Sequence, residues 1–303
     1  MTLTSKVDRL LQLVAVRGAA IPSTSTTINN VVAYSGGVDS SLTAALVFRV
    51  FPSSSAACIG RSAGLSSVQL TQARQVAKHI GIPLWECFTE ESKVEGYVAN
   101  KGKSCYYCKT TLYSTLQQVA QFAWNEMEQH ETLKPVLYNG TNADDQLDPT
   151  RVGLVAASEF EVVSPLSSLT KQEVRDVAKF LGLPNWNTAA SPCLRSRLQF
   201  GVEATQQHLH RVERAEEFVR GLLQLQKHMS MRVRFLAGNK AAVELEQEAL
   251  EKAVPHFDAI DAELRRIGFN AVDVRGFRSG SLSGYNAGAI VHHTPAASAT
   301  LKA

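Results

Sequence analysis

The amino-acid sequence predicts an α/β protein in which a doubly wound, mostly parallel sheet is followed by a smaller α+β domain. Short apolar segments alternate with amphipathic segments through the first two-thirds of the 303 residues. This alternation is typical of a parallel sheet covered by helices. The first apolar segment ends in a glycine-rich turn, and the alternation stops near residue 200. We therefore predict one domain over residues 1–200 and a second over residues 201–287.

The elements of the first domain follow one another in a regular order. An amphipathic helix opens the chain and continues to about Val14. Further helices are predicted at 41–50, 67–80, 107–131 and 171–181, and strands at 31–34, 56–59, 84–88, 136–139 and 161–163. Gly81 suits a helix C-terminus, and Thr170 with Glu173 forms a capping box for the last helix.

The second domain is predicted to contain two helices and three strands. The helices span about 202–228 and 249–267, and the strands span 231–235, 241–245 and 271–274. The first of these strands alternates apolar and polar residues, as a half-buried strand does. Residues 288–303 are rich in Ala, Thr and Ser, and we expect them to be disordered.

Composition and charge exclude several classes of protein. Hydrophobic residues make up 45% of the chain, which is enough for a large core, and no apolar run has the length of a membrane span. A net charge of +3 is too small to indicate a nucleic-acid partner. Five cysteines, an odd number, fit a reducing compartment. We expect a cytoplasmic protein, while the acid-poor, Ser/Thr-rich segment up to Thr27 leaves organelle targeting open.

A phosphate-binding loop is predicted at residues 35–41, where the sequence SGGVDSS follows the first strand and precedes a helix. Gly36 and Gly37 allow a sharp turn with positive φ and the close approach of a ligand. The amides that follow lie at a helix N-terminus, which favours an anion. A Walker loop would require G-x-x-x-x-G-K-[ST], and the sequence does not contain it.

The polar side chains of this loop fit a complex of Mg²⁺ with a nucleotide. Ser35, Ser40 and Ser41 add hydroxyl donors for phosphate oxygens, and Asp39 can hold Mg²⁺. The alternative is an ordinary strand-to-helix turn, but the number of matching positions favours the phosphate loop.

A second polar turn, at residues 140–145, follows the strand predicted at 136–139. The carboxyl ends of parallel strands form the ligand-binding edge of an open α/β sheet. Asn142 can bind a nucleoside there, and Asp144 and Asp145 can serve Mg²⁺–pyrophosphate. An Asx-rich turn without a ligand is the alternative.

Three of the five cysteines lie in motifs. Cys105 and Cys108 form a C-x-x-C that can be a redox couple, half of a zinc site, part of an iron–sulfur site, or two buried thiols. Cys193 follows a proline and precedes Arg195 and Arg197, whose charges favour a thiolate nucleophile. A buried structural cysteine is the alternative for Cys193.

Taken together, these motifs resemble the LarE family of ATP-dependent sacrificial sulfur transferases, which belongs to the PP-loop ATP pyrophosphatase superfamily with its HUP-like fold. The similarity extends over about residues 6–283. The matching segments are 35–40, 105–109, 139–145, 164–166, 170–175, 192–197, 232–234 and 276–281.

The resemblance implies a reaction in two stages. ATP, with Mg²⁺, adenylylates a carboxylate of pyridinium biscarboxylic acid mononucleotide and pyrophosphate is released. The sulfur of Cys193 then attacks, and elimination leaves a thiocarboxylate product and a dehydroalanine in the protein. The resemblance places this step in nickel-pincer nucleotide synthesis. It implies a homo-oligomer, with the nickel-insertion and carboxylase proteins of the same pathway as partners.

The resemblance also implies a substrate-phosphate site and a metal site in the second domain. Arg232 and Arg234 alternate with apolar residues and so face the same side of their strand. Paired guanidinium groups suit a phosphate, and Arg197 is assigned to the same group. Glu217 is carried over as a metal ligand. A solvated basic strand face is the alternative for the arginine pair.

Two features decide between members of the family. Arg195 stands where the family usually has a small residue. Some members carry further cysteines near the reactive one and bind an iron–sulfur cluster, whereas no second cysteine lies near Cys193 in this sequence. We therefore expect the sacrificial type without a cluster.

Three other functions are considered. One is a cluster-dependent thiolase of tRNA or a small molecule that uses Cys105, Cys108 and Cys193. The second is an amidating PP-loop synthetase, and the third is a nucleotide-binding regulatory module without turnover.

Overall fold

The computed structural model describes residues 2–19, 28–125, 134–148, 150–226, 228–278 and 282. This part of the chain forms a four-stranded parallel sheet followed by a separate three-stranded sheet. The predicted fold class, a parallel α/β sheet with a smaller α+β part after it, is confirmed.

The first sheet has the strand order β3-β2-β1-β4. Its strands are β1 (Asn30–Ala33), β2 (Ser55–Arg61), β3 (Leu84–Phe88) and β4 (Val136–Tyr138). The order reverses between β1 and β4, which pair in parallel with Asn30 opposite Val136. In open α/β sheets, ligands bind outside the carboxyl ends of the strands at such a reversal. The predicted phosphate loop follows β1 and the second polar turn follows β4, so both lie at this point.

Helices cover both faces of the first sheet. The α-helices are α1 (Leu3–Arg17), α2 (Val38–Val50), α3 (Ser67–Ile80), α4 (Glu95–Val98), α5 (Ser104–Asn125), α6 (Ala143–Gln146), α7 (Gly153–Glu159) and α8 (Lys171–Phe180). Val32 and Tyr34 share a core with α1, α2, α3 and α8, whereas Val31 and Ala33 share a core with α5 and α7. Because successive strand residues point to opposite faces, a strand buried on both sides is mainly apolar, as β1 is from Val31 to Ala33.

The second sheet contains β5 (Met231–Leu236), β6 (Lys240–Leu245) and β7 (Ala271–Gly276). β5 and β6 are antiparallel and joined by a tight turn in which Gly238 and Asn239 both have positive φ, while β7 pairs with β6 in parallel. The helices that follow the first sheet are α9 (Gln206–Leu222), α10 (Gln247–Ala253) and α11 (Phe257–Ile267).

The core of the second sheet includes residues that precede position 200. Leu194, at 1% exposure, and Leu198 are buried with Phe235, and Leu198 also forms a β-bridge with Phe235. Tyr97 belongs to the same buried cluster. The segment around Cys193 is therefore packed against the second sheet, and the domain boundary at residue 200 stays a prediction.

Several element boundaries differ from the prediction. Residues 161–163 do not form a strand, because only Val163 makes a bridge, to Tyr138. The helix predicted at 202–228 spans Gln206–Leu222, and Thr205 caps its start. The helix predicted at 249–267 is two helices, separated by a short 3₁₀ segment, Val254–His256. Pro255 in that segment lacks the N–H that a continuous helix would need.

Two predictions extend beyond the described residues. The helix predicted at 107–131 begins earlier, at Ser104, and is described to Asn125, so its predicted end lies outside. The predicted disordered tail at 288–303 also lies outside. Among the described residues, no helix has the length and apolar character needed to cross a membrane.

Candidate functional site

Two glycines shape the loop that follows β1. Gly36 has a φ of +75°, and a Cβ placed on it would lie 2.7 Å from the Cα and Cβ of Ala73 on α3. Gly140, which follows β4, approaches so closely that its Cβ would lie 2.6 Å from the carbonyl carbon of Asp39. The prediction of positive φ is confirmed for Gly36 and wrong for Gly37, which caps α2 in an extended conformation with a φ of −73°.

The three loop serines have different surroundings. Ser35 is exposed, whereas Ser40 and Ser41 are buried. The Ser40 hydroxyl donates to the carbonyl of Gly37 at 3.1 Å and accepts from the amide of Ser35 at 3.2 Å. The hydroxyls of Ser40 and Ser41 are thus engaged in hydrogen bonds within the protein, and their predicted contact with a phosphate stays a prediction. Ser35 and the first amides of α2, which have no acceptor within the helix, remain for an anion.

Asn185 supports the loop from below and was missed by the sequence analysis. Its side-chain amide donates to the carbonyl of Gly36 at 2.9 Å and to the Ser41 hydroxyl at 3.0 Å, and it is 3% exposed. Asn185 follows Pro184 in a connecting segment far along the chain, and no local motif marks it.

The two polar turns meet at Asp39. Its Oδ1 accepts a hydrogen bond from the Asn142 side chain at 2.9 Å, and the Asn142 Oδ1 accepts from the amide of Asp145 at 3.0 Å. Asn142 is fully buried and positions Asp39, while its predicted contact with a nucleoside stays a prediction. Burial, together with the nearby charge of Asp145, raises the pKa of Asp39 against the opposing effect of the Asn142 hydrogen bond. A cation at this point would relieve that unfavourable charge.

The Asp145 carboxylate forms ion pairs with Arg151 at 2.8 Å and with Lys171 at 3.5 Å. It is therefore partly compensated before any metal binds. Asp39 and Asp145 therefore lie close enough to interact, while their predicted ligands stay a prediction.

Cys193 lies at the solvent-exposed start of a short 3₁₀ helix, Leu194–Arg197. The alternative of a buried structural cysteine is therefore wrong. The Arg195 guanidinium donates to the Sγ of Cys105 at 2.6 Å and to the Asn100 side chain at 3.2 Å. It also interacts electrostatically with Cys193, and its effect on this thiol stays a prediction.

Cys105 and Cys108 lie at the start of α5, on the same side of the molecule as Cys193. Burial raises the pKa of Cys108 to about 12, although Lys109 opposes the shift, and the charges of Cys193 and Cys105 add to it. The fold thus brings Cys193 into electrostatic range of the Cys105 and Cys108 pair, from which it is distant in sequence. Among the residues described here, no three His, Cys, Asp or Glu side chains are arranged to hold a metal ion.

A cavity of about 360 Å³ lies beside Cys193, between α3, α9 and β5. Ser191, two residues before Cys193, and Leu194, the residue after it, line the cavity, whereas Cys193 itself is not among its lining residues. The charged residues that line it are Arg197, Glu213, Glu216, Glu217, Arg220 and Arg232. Glu217, predicted as a metal ligand, instead accepts a hydrogen bond from the Ser67 hydroxyl at 2.8 Å.

Only one of the three arginines assigned to a phosphate lacks a carboxylate partner among the described residues. Arg234 is 2% exposed and pairs with Glu244 at 2.8 Å, and Arg197 is 3% exposed and pairs with Glu216 at 2.9 Å. Both side chains are members of buried ion pairs, and their predicted contact with a substrate phosphate stays a prediction.

Arg232 is the arginine that stays available. It is half-buried, lies 5.1 Å from the ring centroid of Phe277 and makes one long hydrogen bond, of 3.5 Å, to the carbonyl of Ala190. Burial lowers the pKa of Arg232 to about 10, and the charges of Arg197 and Arg234 add to this effect. The charges of Glu216 and Glu244 oppose the shift. Of the three arginines, Arg232 is the one that a bound anion could contact without breaking an ion pair of the described residues.

Comparison with known proteins places these features in context. No protein-family model matches the chain. It is 36% identical over 261 residues to the uncharacterized protein slr1717 of Synechocystis sp., an alignment that covers 83% of this chain and 91% of that protein. It is 28% identical over 257 residues to the pyridinium-3,5-bisthiocarboxylic acid mononucleotide synthase of Lactiplantibacillus plantarum, covering 83% and 88%. An uncharacterized protein of Methanocaldococcus jannaschii is 28% identical over 247 residues, covering 80% and 87%.

Proposed function

This chain belongs to the LarE-like family that contains slr1717 of Synechocystis, and on that premise we propose that it is an ATP-dependent sulfur transferase. Its substrate would be pyridinium biscarboxylic acid mononucleotide, and its product a thiocarboxylate for nickel-pincer nucleotide synthesis. The sulfur would come from Cys193, which would end as dehydroalanine.

One observation carries the proposal: the exposed Cys193 directly precedes Leu194, which lines a cavity that also contains Arg232. Arg232 has no ion pair among the described residues. Helix α3, which lines the same cavity, packs Ala73 against Gly36 of the loop. A nucleotide at the loop and a mononucleotide at Arg232 would thus be neighbours.

The first stage would take place at the carboxyl ends of β1 and β4. Ser35 and the first amides of α2 would bind the phosphates of ATP. Asp39 and Asp145 would hold the Mg²⁺ that neutralises phosphate charge, which fits the raised pKa of Asp39. Adenylylation supplies AMP as a leaving group and so turns a poor acyl electrophile into a good one.

In the second stage, the Cys193 sulfur would attack the acyl adenylate. Arg232 would hold the mononucleotide phosphate by a charge-assisted contact. AMP would leave as the thioester forms, and cleavage of the Cβ–Sγ bond of Cys193 would then release the thiocarboxylate.

Incubation of the purified protein with the mononucleotide, ATP and Mg²⁺ tests this proposal. We expect AMP and pyrophosphate as products, one equivalent of thiocarboxylate, and loss of the mass of hydrogen sulfide at Cys193 in peptide mass spectrometry. Cys193→Ala should still release pyrophosphate but give no sulfur-containing product, and Asp39→Ala should abolish both stages. ADP and orthophosphate as primary products would contradict the proposal.

A second candidate, an iron–sulfur-dependent thiolase, is favoured by one observation. Cys105, Cys108 and Cys193 interact electrostatically, and three thiolates can hold a cluster that leaves one iron open. Against it, Arg195 donates to Cys105, a contact that a cluster ligand would have to give up. Iron in the purified protein, an unchanged Cys193 and several turnovers with added sulfide would establish this alternative.

A further inference from the structure

The backbone carbonyl of Cys193 accepts three hydrogen bonds. The Ser196 amide donates at 2.9 Å, the Ser196 hydroxyl at 2.8 Å and Nη1 of Arg197 at 3.2 Å. The amide bond belongs to the 3₁₀ turn itself. The hydroxyl and the guanidinium are additional donors, and the turn does not require them.

These donors are held in place by contacts with α9 and β5. Nε of Arg197 lies 2.9 Å from Oε1 of Glu216, whose carboxylate also accepts from the amide of Val233 on β5 at 3.1 Å. The carbonyl of Ser196 accepts from the buried Arg234 at 3.1 Å. The donor set is therefore rigid before any ligand binds, as catalytic dipoles must be.

The carbonyl matters because sulfur loss from a cysteine thioester requires removal of the proton on Cα. That proton lies next to the carbonyl, so the negative charge left on Cα spreads to the carbonyl oxygen. Donors fixed around that oxygen stabilise the resulting enolate.

We propose that Ser196 and Arg197 form an oxyanion hole for the enolate of Cys193 and thereby promote β-elimination of the acylated sulfur. This inference rests on the proposed sacrificial function. It gives Arg197 a catalytic role in place of the substrate-phosphate contact that the resemblance implied.

The step is balanced without an oxidant or a reductant. A solvent base removes the Cα proton of Cys193, whose side chain is exposed, and the electron pair of that bond forms the enolate. The carbonyl then reforms, a Cα=Cβ double bond appears, and the Cβ–Sγ bond breaks. The sulfur leaves with that electron pair as the thiocarboxylate.

The first experiment separates thioester formation from elimination. With mononucleotide, ATP and Mg²⁺, Ser196→Ala should release AMP at the wild-type rate but accumulate a thioester at Cys193 that hydroxylamine cleaves. Loss of one oxyanion-hole donor slows a reaction about 10²-fold or more, and we expect elimination to slow by about that factor. Ser196→Thr should restore it, and Ser158→Ala, at an exposed serine of α7, is the matched control.

The second experiment needs neither ATP nor substrate, so its failure differs from failure of the proposed function. Bis-alkylation with 2,5-dibromohexanediamide converts a cysteine into a cyclic sulfonium that eliminates to dehydroalanine. We expect elimination at Cys193 to be faster in the wild type than in Ser196→Ala, with Cys105 of the same chain as the internal reference. Equal rates at Cys193 in the two proteins would overturn the oxyanion hole, whatever the outcome with substrate.

Discussion

Arg232 and Arg234 lie two residues apart on β5, and we expect their replacement to affect different properties. Replacement of Arg234 should lower stability, and replacement of Arg232 should weaken substrate binding. Arg234 and Glu244 pair at 2.8 Å with side chains only 3% and 1% exposed. Removal of one partner from a buried ion pair costs about 3–5 kcal/mol, because the other charge stays buried. Arg275 keeps a contact of 3.0 Å to the second oxygen of Glu244. We therefore expect Arg234→Met to lower the free energy of unfolding by about 3 kcal/mol, the lower end of that range.

Arg232→Met should behave differently. Arg232 has no ion pair among the described residues, so its loss should change the free energy of unfolding by less than about 1 kcal/mol. A charge-assisted hydrogen bond to a phosphate contributes about 1.5–3 kcal/mol, so binding of the mononucleotide should weaken by about 10- to 150-fold.

Urea unfolding of the full chain and calorimetric titration with the mononucleotide, in the absence of ATP, measure the two effects. The wild type and both variants are compared at the same pH and salt concentration. The reasoning fails if Arg234→Met unfolds at the wild-type urea concentration while losing the mononucleotide. That result would make Arg234 a ligand-binding residue in spite of its burial.

Three further predictions follow from individual contacts. Gly140→Ala should abolish pyrophosphate release, because its Cβ would lie 2.6 Å from the backbone of the phosphate loop; retained release would show that the loop can move aside. The hydrogen bond from Lys6, with those from Thr170, lowers the pKa of Glu173 from 4.5 to about 2. The contribution of the ionised Glu173 to stability is complete above pH 4.5 and is lost as the pH falls towards 2. Between these pH values, the urea midpoint of Lys6→Met should therefore fall less steeply than that of the wild type. At neutral pH, iodoacetamide should modify the exposed Cys193 before Cys108, whose pKa burial raises to about 12; the reverse order in peptide mass spectrometry would contradict the described burial.

The parts of the fold that follow from local sequence could be predicted. Period-two alternation placed β5, and apolar runs placed β1 and β4, because side-chain burial in a strand depends on neighbouring positions in the chain. The strand predicted at 161–163 failed, because an apolar run does not show whether a neighbouring strand offers further backbone partners. The interruption of the helix predicted at 249–267 follows from the missing backbone N–H of Pro255. The helical pattern of the residues before and after Pro255 led to the prediction of one continuous helix.

The candidate site divides in the same way. The loop at residues 35–41 could be located because its glycine and its helix start lie in one short segment. The support by Asn185 could not, since it depends on how a distant segment packs. The charge of Arg234 was visible in the sequence, but its neutralisation by Glu244 depends on the pairing of two strands. The number of arginines in a motif therefore exceeds the number of unpaired guanidinium groups that a ligand can contact.

The burial of Leu194 in the core of the second sheet would determine which substrates can react with Cys193. Leu194 and β5, the strand that carries Arg232, belong to one buried cluster. Side-chain packing in this cluster therefore fixes the distance from the Cys193 segment to Arg232. The protein would then select its substrate by length. A mononucleotide would react only if the distance from its phosphate to its carboxylate matches the distance from Arg232 to the Cys193 sulfur. Analogues with the carboxylate at another ring position would bind through the phosphate, but their carboxylate would be out of reach of the Cys193 thiol.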